Sequence, residues 1–414
     1  MPNSAAPLNK PFLRDFSKGV CIAYCEFFDA VATSKTYNKY CRGGILRVFE
    51  SLLASLVFDR EIILLDETFS DSETAALTGV SDISAFEEPA PRADFDALRN
   101  AFSSGRLRDA FPLENWRARL FTSGTQGRPK EVSHTFASAF SNVKISPRRA
   151  ADVWGFAYNP THFAGLQIFM QAFLNGNTLV DIFARPPAEV FAAADKFGIT
   201  HISATPTFFR LLCGGANSAC PSVRRLTSGG ERFDARAMRS LGKIFPNAKI
   251  SNVYASTEYG SMFVSDGDIF TAPAGTAKVV DGELFVLSSL GGDSSVRWYP
   301  TGDCVEVIGD NPLSFRFLAR RCDFINVGGY KVNPAEVEDA LRCLDAVSDA
   351  RVYAIPNRIL GNIVAADVVC ARPISEPELR KELLALLQNF KIPRIVNFVE
   401  ALQKTRTGKT SRIV

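Results

Sequence analysis

The chain has 414 residues, 46% of them hydrophobic, with 47 basic against 44 acidic side chains, enough to bury a large core in two or three domains. No run approaches the ~18 uninterrupted apolar residues of a membrane span, the first residues lack the basic-then-apolar order of a secretory signal, and the dispersed net charge of +3 lacks the basic stripe of a nucleic-acid surface. A cytoplasmic protein with no nucleic-acid partner is expected. In chain order, the nine cysteines contain no CxxC pair, so neither disulfides nor zinc are indicated, and Cys21 and Cys25 are expected as core thiols. Residues 44–58 carry the apolar spacing of a helix, and "EIILLD" (61–66) reads as a strand. Further strands are predicted at 151–158, 177–183, 199–205, 223–229 and 249–256, with helices at 187–198 and 234–245. Such alternation predicts a mostly parallel sheet covered by helices.

From about residue 279 the rhythm changes to short strands ("GELFVLSS", "SVRWY", "CVEVIG", "LSFRFLA"), a small antiparallel β module. After Arg320 it changes again, to strand, helix (334–344), strands (348–356 and 362–370), helix (376–390) and a last strand (394–400). The expected fold is therefore α/β: a large N-terminal domain over residues 1–319, its β module at about 279–319, followed by a small α+β domain over 320–414.

The stretch "LFTSGTQGRPKEVSH" (120–134) concentrates hydroxyls, glycines and a lysine after an apolar run. Gly124 and Gly127 let successive backbone N–H groups converge, Thr122, Ser123 and Thr125 add donors, and Lys130 adds charge, which together suit an anion such as a nucleotide polyphosphate. It is not a Walker A loop, since no Lys-Ser/Thr follows a second glycine at the required spacing; "TGKT" (407–410) also fails, having Gln403 where that motif needs glycine. Alone, such a loop is more often a polar turn.

Other motifs in the right order change that balance. The 120–134 stretch resembles the phosphate loop of the adenylate-forming superfamily of acyl-CoA synthetases, aryl-CoA ligases and peptide-synthetase adenylation domains. "LTSGGE" (226–231) resembles its adenine-edge loop, and "NVYASTE" (252–258) its aromatic-x-x-Thr-Glu motif, with Ala255 where glycine is usual. "WYPTGD" (298–303), "LARRCDFINVGGYKVNPAEVE" (318–338) and "KTRTGK" (404–409) resemble its Tyr-x-Thr-Gly-Asp, hinge and lysine-loop motifs. The likeness runs from about residue 45 to the C-terminus.

The resemblance implies ATP- and Mg²⁺-dependent activation of a carboxylic acid to an acyl-adenylate, then thioester formation on CoA or the phosphopantetheine of an acyl or aryl carrier protein. Positioning and charge neutralisation dominate such chemistry. By resemblance, residues 122–130 hold the leaving phosphates, Gly229, Gly230 and Glu231 edge the adenine, and Tyr254 offers it a flat face. Thr257 contacts the α-phosphate and Glu258 holds Mg²⁺, a hard ion suited to oxygen ligands. Asp303 takes the ribose hydroxyls, Arg320 reaches ribose or phosphate, and Lys409 is the catalytic lysine entering from a mobile C-terminal domain. The hinge falls at Cys322, where Asp or Lys is usual, and Gly328 and Gly329 face the thiol channel. His162, Phe163, Ser228, Gly229, Ser256 and Met262 line the acid pocket. They are mostly small or apolar, which suits an aryl or acyl acid, and residues 158–166 supply no carboxylate for an α-amino group. With only about 120 residues before the phosphate loop, the first subdomain is abbreviated, which keeps a carrier protein open as acceptor. An amino-acid-adenylating carrier-protein loader and a non-catalytic nucleotide-binding regulator stay open as alternatives; Glu258 and Lys409 argue against the second.

Overall fold

The computed structural model describes residues 7–16, 18–122, 130–215, 219–229, 235–256, 260–288 and 296–402. Its main sheet runs parallel from Pro11–Asp15 through Thr178–Asp181, Val153–Phe156, His201–Ala204 and Arg225–Gly229 to Lys249–Ser256. Every residue of Thr178–Asp181 and His201–Ala204 is buried, as strands covered on both faces must be. Val20–Ala23 adds an antiparallel edge. On that edge Cys21 is exposed, and Cys25, in the helix Tyr24–Ala32, is half-buried, so neither is the core thiol expected. No disulfide links two described cysteines.

Past Lys249–Ser256 the pairing turns antiparallel with Gly260–Asp266, ahead of the expected change near residue 279. It continues through Ile269–Thr271, Leu313–Arg320, Arg297–Asp310, Glu283–Ser288 and Ala277–Val280. Phe263, Phe270, Leu284, Val286 and Phe315 form this module's core.

A second sheet orders Tyr40–Arg42, Ile62–Leu65 and Arg117–Thr122 in parallel, with Lys130–Thr135 antiparallel at its edge. The helix Ile45–Val57 buries Val48, Phe49, Leu52, Leu53 and Leu56, one stripe at helical spacing. They join the largest core, where Phe12, Phe27, Phe28, Phe49, Phe169 and Phe173 are fully buried. Much of the chain's phenylalanine surplus is therefore spent on packing between the two sheets.

A separate C-terminal sheet holds Tyr330–Val332, Ile325–Val327, Gly361–Cys370 and Val347–Asn357, with Ile395–Phe398 parallel to Gly361–Cys370. The exposed edge of Val347–Asn357 is covered by the helix Pro334–Cys343. Glu338 Oε1 accepts from the Val352 amide at 3.0 Å, and an Arg342 amino group donates to the Ala350 carbonyl at 2.8 Å; covering an edge in this way blocks strand addition. The helix predicted over 376–390 stops at Leu384. No described helix is long and apolar enough to cross a membrane.

Candidate active site

In a parallel sheet the crevice beyond the carboxyl ends of the strands is where ligands gather. Gly229 and Ser256 end adjacent strands there, and the Tyr158–His162 turn follows Val153–Phe156. A Cβ built on Gly229 would lie 3.4 Å from the Val253 carbonyl and 3.8 Å from the Tyr158 hydroxyl, so this turn closes over the end of the strand Arg225–Gly229. Ser228 and Asn252 are register partners on neighbouring parallel strands and present their side chains to the same face. Both are buried, and Ser228 Oγ and Asn252 Oδ1 take no hydrogen bond among the described residues. Buried polar atoms are normally satisfied, so this pair marks a place for a polar ligand group.

Two residues further along the same strand, Tyr254 packs its ring on Phe263 at 5.8 Å and edge-on to Phe270. Its hydroxyl donates to Asp303 Oδ2. The Asp303 turn is built locally: Thr301 Oγ1 donates to the Leu284 carbonyl and accepts from the Asp303 amide, while Gly302 adopts a left-handed φ of 74° and donates its N–H to Glu283 at 3.0 Å. The Asp303 side chain is only 7% exposed, with Oδ1 3.4 Å from Arg320 Nε and without a hydrogen bond among the described residues. Burial pushes its carboxyl above the usual range, aided by Asp323 and Glu283 and opposed by the Tyr254 hydroxyl and Arg320. Burial, with the Asp303 charge, likewise raises Tyr254.

Thr122 and Lys130 are register partners on the antiparallel strands Arg117–Thr122 and Lys130–Thr135. Ser123, Gly124, Thr125, Gly127, Gly230, Glu231, Thr257, Glu258 and Lys409 lie outside the described residues, as do the side chains of Thr122, Ser256, Met262 and Cys322. Gly328 and Gly329 form the two-residue turn between Ile325–Val327 and Tyr330–Val332, with φ of 57° and 91°, a conformation that selects glycine at both positions.

The sequence reading passed over Asp66 and Asn252. Asp66 follows the strand Ile62–Leu65 and is 3% exposed. Its Oδ1 accepts from the Thr68 amide and hydroxyl, and its Oδ2 from Asn159 Nδ2 at 2.8 Å, with His162 Nε2 at 3.3 Å. Burial opposes its charge, yet the His162 and Thr68 hydrogen bonds prevail and hold the carboxyl down at about 2. Phe163 stacks on His134 at 4.8 Å. Asn252 stood in the quoted "NVYASTE" and went unnoticed; the one signal for Asp66 was a carboxylate closing an apolar strand.

Residues 43–292 match the AMP-binding enzyme family, and residues 336–409 match the AMP-binding enzyme C-terminal domain. The chain belongs to the AMP-binding enzyme family; its class is that of the ATP-dependent, AMP-forming acid–thiol ligases. Among relatives, the 2-succinylbenzoate–CoA ligase of Bacillus pumilus is 26% identical over 402 residues, covering 85% of this chain and 82% of its own. The p-hydroxybenzoic acid–AMP ligase of Mycobacterium tuberculosis is 26% identical over 78% of this chain and 54% of its own. Among solved structures, the o-succinylbenzoate CoA synthetase of Bacillus subtilis in complex with its acyl-adenylate intermediate has a TM-score of 0.73 at 20% identity, covering 100% of this chain and 97% of that one. ATP-bound MatB from Rhodopseudomonas palustris has a TM-score of 0.76 at 17% identity, covering 99% and 97%. These likenesses carry the fold.

Proposed function

We propose that the chain activates an aryl or acyl carboxylic acid by adenylation and transfers the acyl group to CoA, with the nucleotide seated between Tyr254, Asp303 and the Ser228–Asn252 pair. The observation that carries this reading is three buried oxygens without hydrogen-bond partners among the described residues: Ser228 Oγ and Asn252 Oδ1 on register-paired residues, and Asp303 Oδ1 on the carboxylate that binds the Tyr254 hydroxyl two residues beyond Asn252. An acceptor such as Asn252 Oδ1 suits an exocyclic amino group, and Asp303 Oδ1 suits a ribose hydroxyl. Because Tyr254 already uses Oδ2, the ribose is held mainly through Oδ1 and Arg320.

In this reading Lys130 and the loop 122–130 hold the leaving phosphates, Gly229, Gly230 and Glu231 border the adenine, and Thr257 holds the α-phosphate. Glu258 is the proposed ligand of a Mg²⁺ ion, which when bound neutralises phosphate charge. Lys409 neutralises charge where the acid meets the α-phosphate. His162, Phe163, Ser228, Gly229, Ser256 and Met262 line the acid pocket. An α-ammonium group finds no counterion in the Tyr158–His162 turn, and the oxygens of Asp66 are already engaged by Thr68, Asn159 and His162. Burying an unpaired ammonium costs several kcal/mol. We assign residues 1–319 to the domain that binds ATP and acid, and 320–414 to a mobile domain hinged at Cys322. A cytoplasmic setting belongs to the same proposal.

A second reading has the adenylate handed to an acyl or aryl carrier protein; the likeness to a ligase named for its AMP product favours it. An ATP–pyrophosphate exchange screen over aryl, fatty and amino acids, repeated as thioester formation with CoA and with a carrier protein, tests both. Exchange with benzoate-like or acyl acids and thioester on CoA is expected. Faster exchange with any amino acid would overturn the acid class, and thioester on the carrier protein alone would establish the second reading.

A further inference from the structure

We infer that Asp66 is a positioning residue for the reaction: it fixes the imidazole of His162 by accepting the Nε2–H, leaving Nδ1 as the ring nitrogen available to the acid. This rests on the placement of His162 at the acid pocket proposed above.

Three observations converge on it. First, Asp66 and His162 come from the carboxyl ends of strands in different sheets, and the contact lies where those sheets meet, beside the turn that closes over Gly229. Second, His162 immediately precedes the helix Phe163–Leu174, yet its side chain makes no cap hydrogen bond. Ser, Thr, Asn or Asp would cap that helix better, so the ring is oriented by Asp66 rather than by the helix end. Third, the backbone of the turn is pinned from both sides. Asn159 donates to Asp66 at 2.8 Å and accepts from the Thr161 amide and hydroxyl at 2.9 and 2.7 Å. A Cβ at position 165 would sit 2.3 Å from the Asn159 carbonyl oxygen, so only glycine there lets the turn lie on the helix. A buried carboxylate with donors on both oxygens stays charged, and a charged acceptor orients an imidazole. The arrangement is a carboxylate that orients a histidine, as carboxylates orient metal-ligating or general-base histidines elsewhere, here at the rim of the proposed acid pocket.

The test combines kinetics with nitrogen-15 NMR. With three histidines in the chain, the His162 signals are assigned by their loss in His162→Ala. In the wild-type protein the neutral ring should carry its proton on Nε2, hydrogen-bonded; a proton on Nδ1 would overturn the inference without any variant. Asp66→Asn should raise the KM for the acid about 10- to 100-fold, the range for losing one charged hydrogen bond, with the KM for ATP changed less than about threefold. In the His162→Ala background the same substitution should add nothing, since its effect passes through the ring. Multiplicative losses in the double variant, or equal rises in both KM values, would show that Asp66 only supports the fold. If no acid supports exchange in the wild type, the proposed acid activation fails while the NMR result still decides whether Asp66 holds the ring.

Discussion

The hydroxyl of Tyr254 and the carboxylate of Asp303 are joined by a partly buried hydrogen bond across 49 residues of sequence, tying the last parallel strand to the β module. Each residue was expected to meet the nucleotide separately; together they form one unit in which the phenol supplies a donor that opposes the upward push of burial on the carboxyl.

Tyr254→Phe removes that donor and keeps the ring. Burial already holds the Asp303 carboxyl above its ordinary value, and losing a hydrogen bond to the charged form raises it further. The KM for ATP should rise about tenfold, the lower range for a charged hydrogen bond, and rise more at an acidic than at a neutral pH, because protonation of a carboxyl with a raised pKa sets in sooner as pH falls. Exchange kinetics at the two pH values check this; a pH-independent effect would mean that Asp303 is not the affected group.

Gly165→Ala introduces a methyl where the Asn159 carbonyl oxygen lies 2.3 Å away. Backbone must move to accommodate it, at a cost of about 1–3 kcal/mol, and the displaced segment carries His162. A lower urea midpoint together with a raised KM for the acid is expected. A loss of stability with acid binding untouched would separate this turn from the pocket.

His201 gives stability a pH dependence of known sign. It is buried against Trp154; burial first, then Arg225, Arg149 and Arg224, lower its pKa from 6.5 to about 4. As pH falls through 6.5 the unfolded chain gains a proton that the folded chain refuses until about 4. Stability due to this group is therefore present above 6.5 and lost across that window, at up to ~1.4 kcal/mol per pH unit. Asp152, 3.6 Å from His201 Nε2, has a raised pKa and favours the folded state in acid, so the two partly cancel at the low end. Urea midpoints at pH 7 and 5.5 should fall less in His201→Gln than in the wild type; an equal fall would remove His201 as the cause.

Local signals were legible in the sequence and distant pairings were not. The buried parallel strands are short β-branched runs bounded by turns, and the helices Ile45–Val57 and Pro187–Phe197 carry their periodicity openly. The strand Pro11–Asp15 and the edge strand Val20–Ala23 beside it carry no clear signal, because Pro11 and the polar residues around them weaken the pattern. Arg297–Asp310 was read as two strands, since Pro300 and Gly302 normally interrupt a ladder; it stays one because Gly302 turns its N–H to Glu283 and the register shifts past it. Asp66 and His162 are 96 positions apart, so no window of sequence joins them.

Glu258 tests the metal. Glutamine keeps the shape of the side chain and removes its charge, so Glu258→Gln should weaken Mg²⁺-dependent exchange while circular dichroism and melting stay unchanged. An unaltered Mg²⁺ dependence would take Glu258 out of the metal assignment.

Lys409 separates the two half-reactions. If it acts only where charge builds up between the acid and the α-phosphate, Lys409→Ala removes one main electrostatic contact, worth about 3–4 kcal/mol or ~10²- to 10³-fold in adenylation rate. The thioester step should survive, because in the proposed rotation at Cys322 the lysine withdraws and the Gly328–Gly329 turn moves toward the adenylate instead. That turn is suited to the task at Gly329, which is left-handed and where a built Cβ would find nothing within 4 Å, whereas Leu360 lies 3.1 Å from one on Gly328. Rotation must also break the contact of Arg210 Nε with Asp349 Oδ1, at 3.7 Å across the two domains. The measurement supplies pre-formed acyl-adenylate to Lys409→Ala and follows thioester formation beside ATP-dependent exchange. Equal losses in both assays would overturn the rotating-domain proposal, since a lysine that leaves the site cannot be needed in the step after its departure.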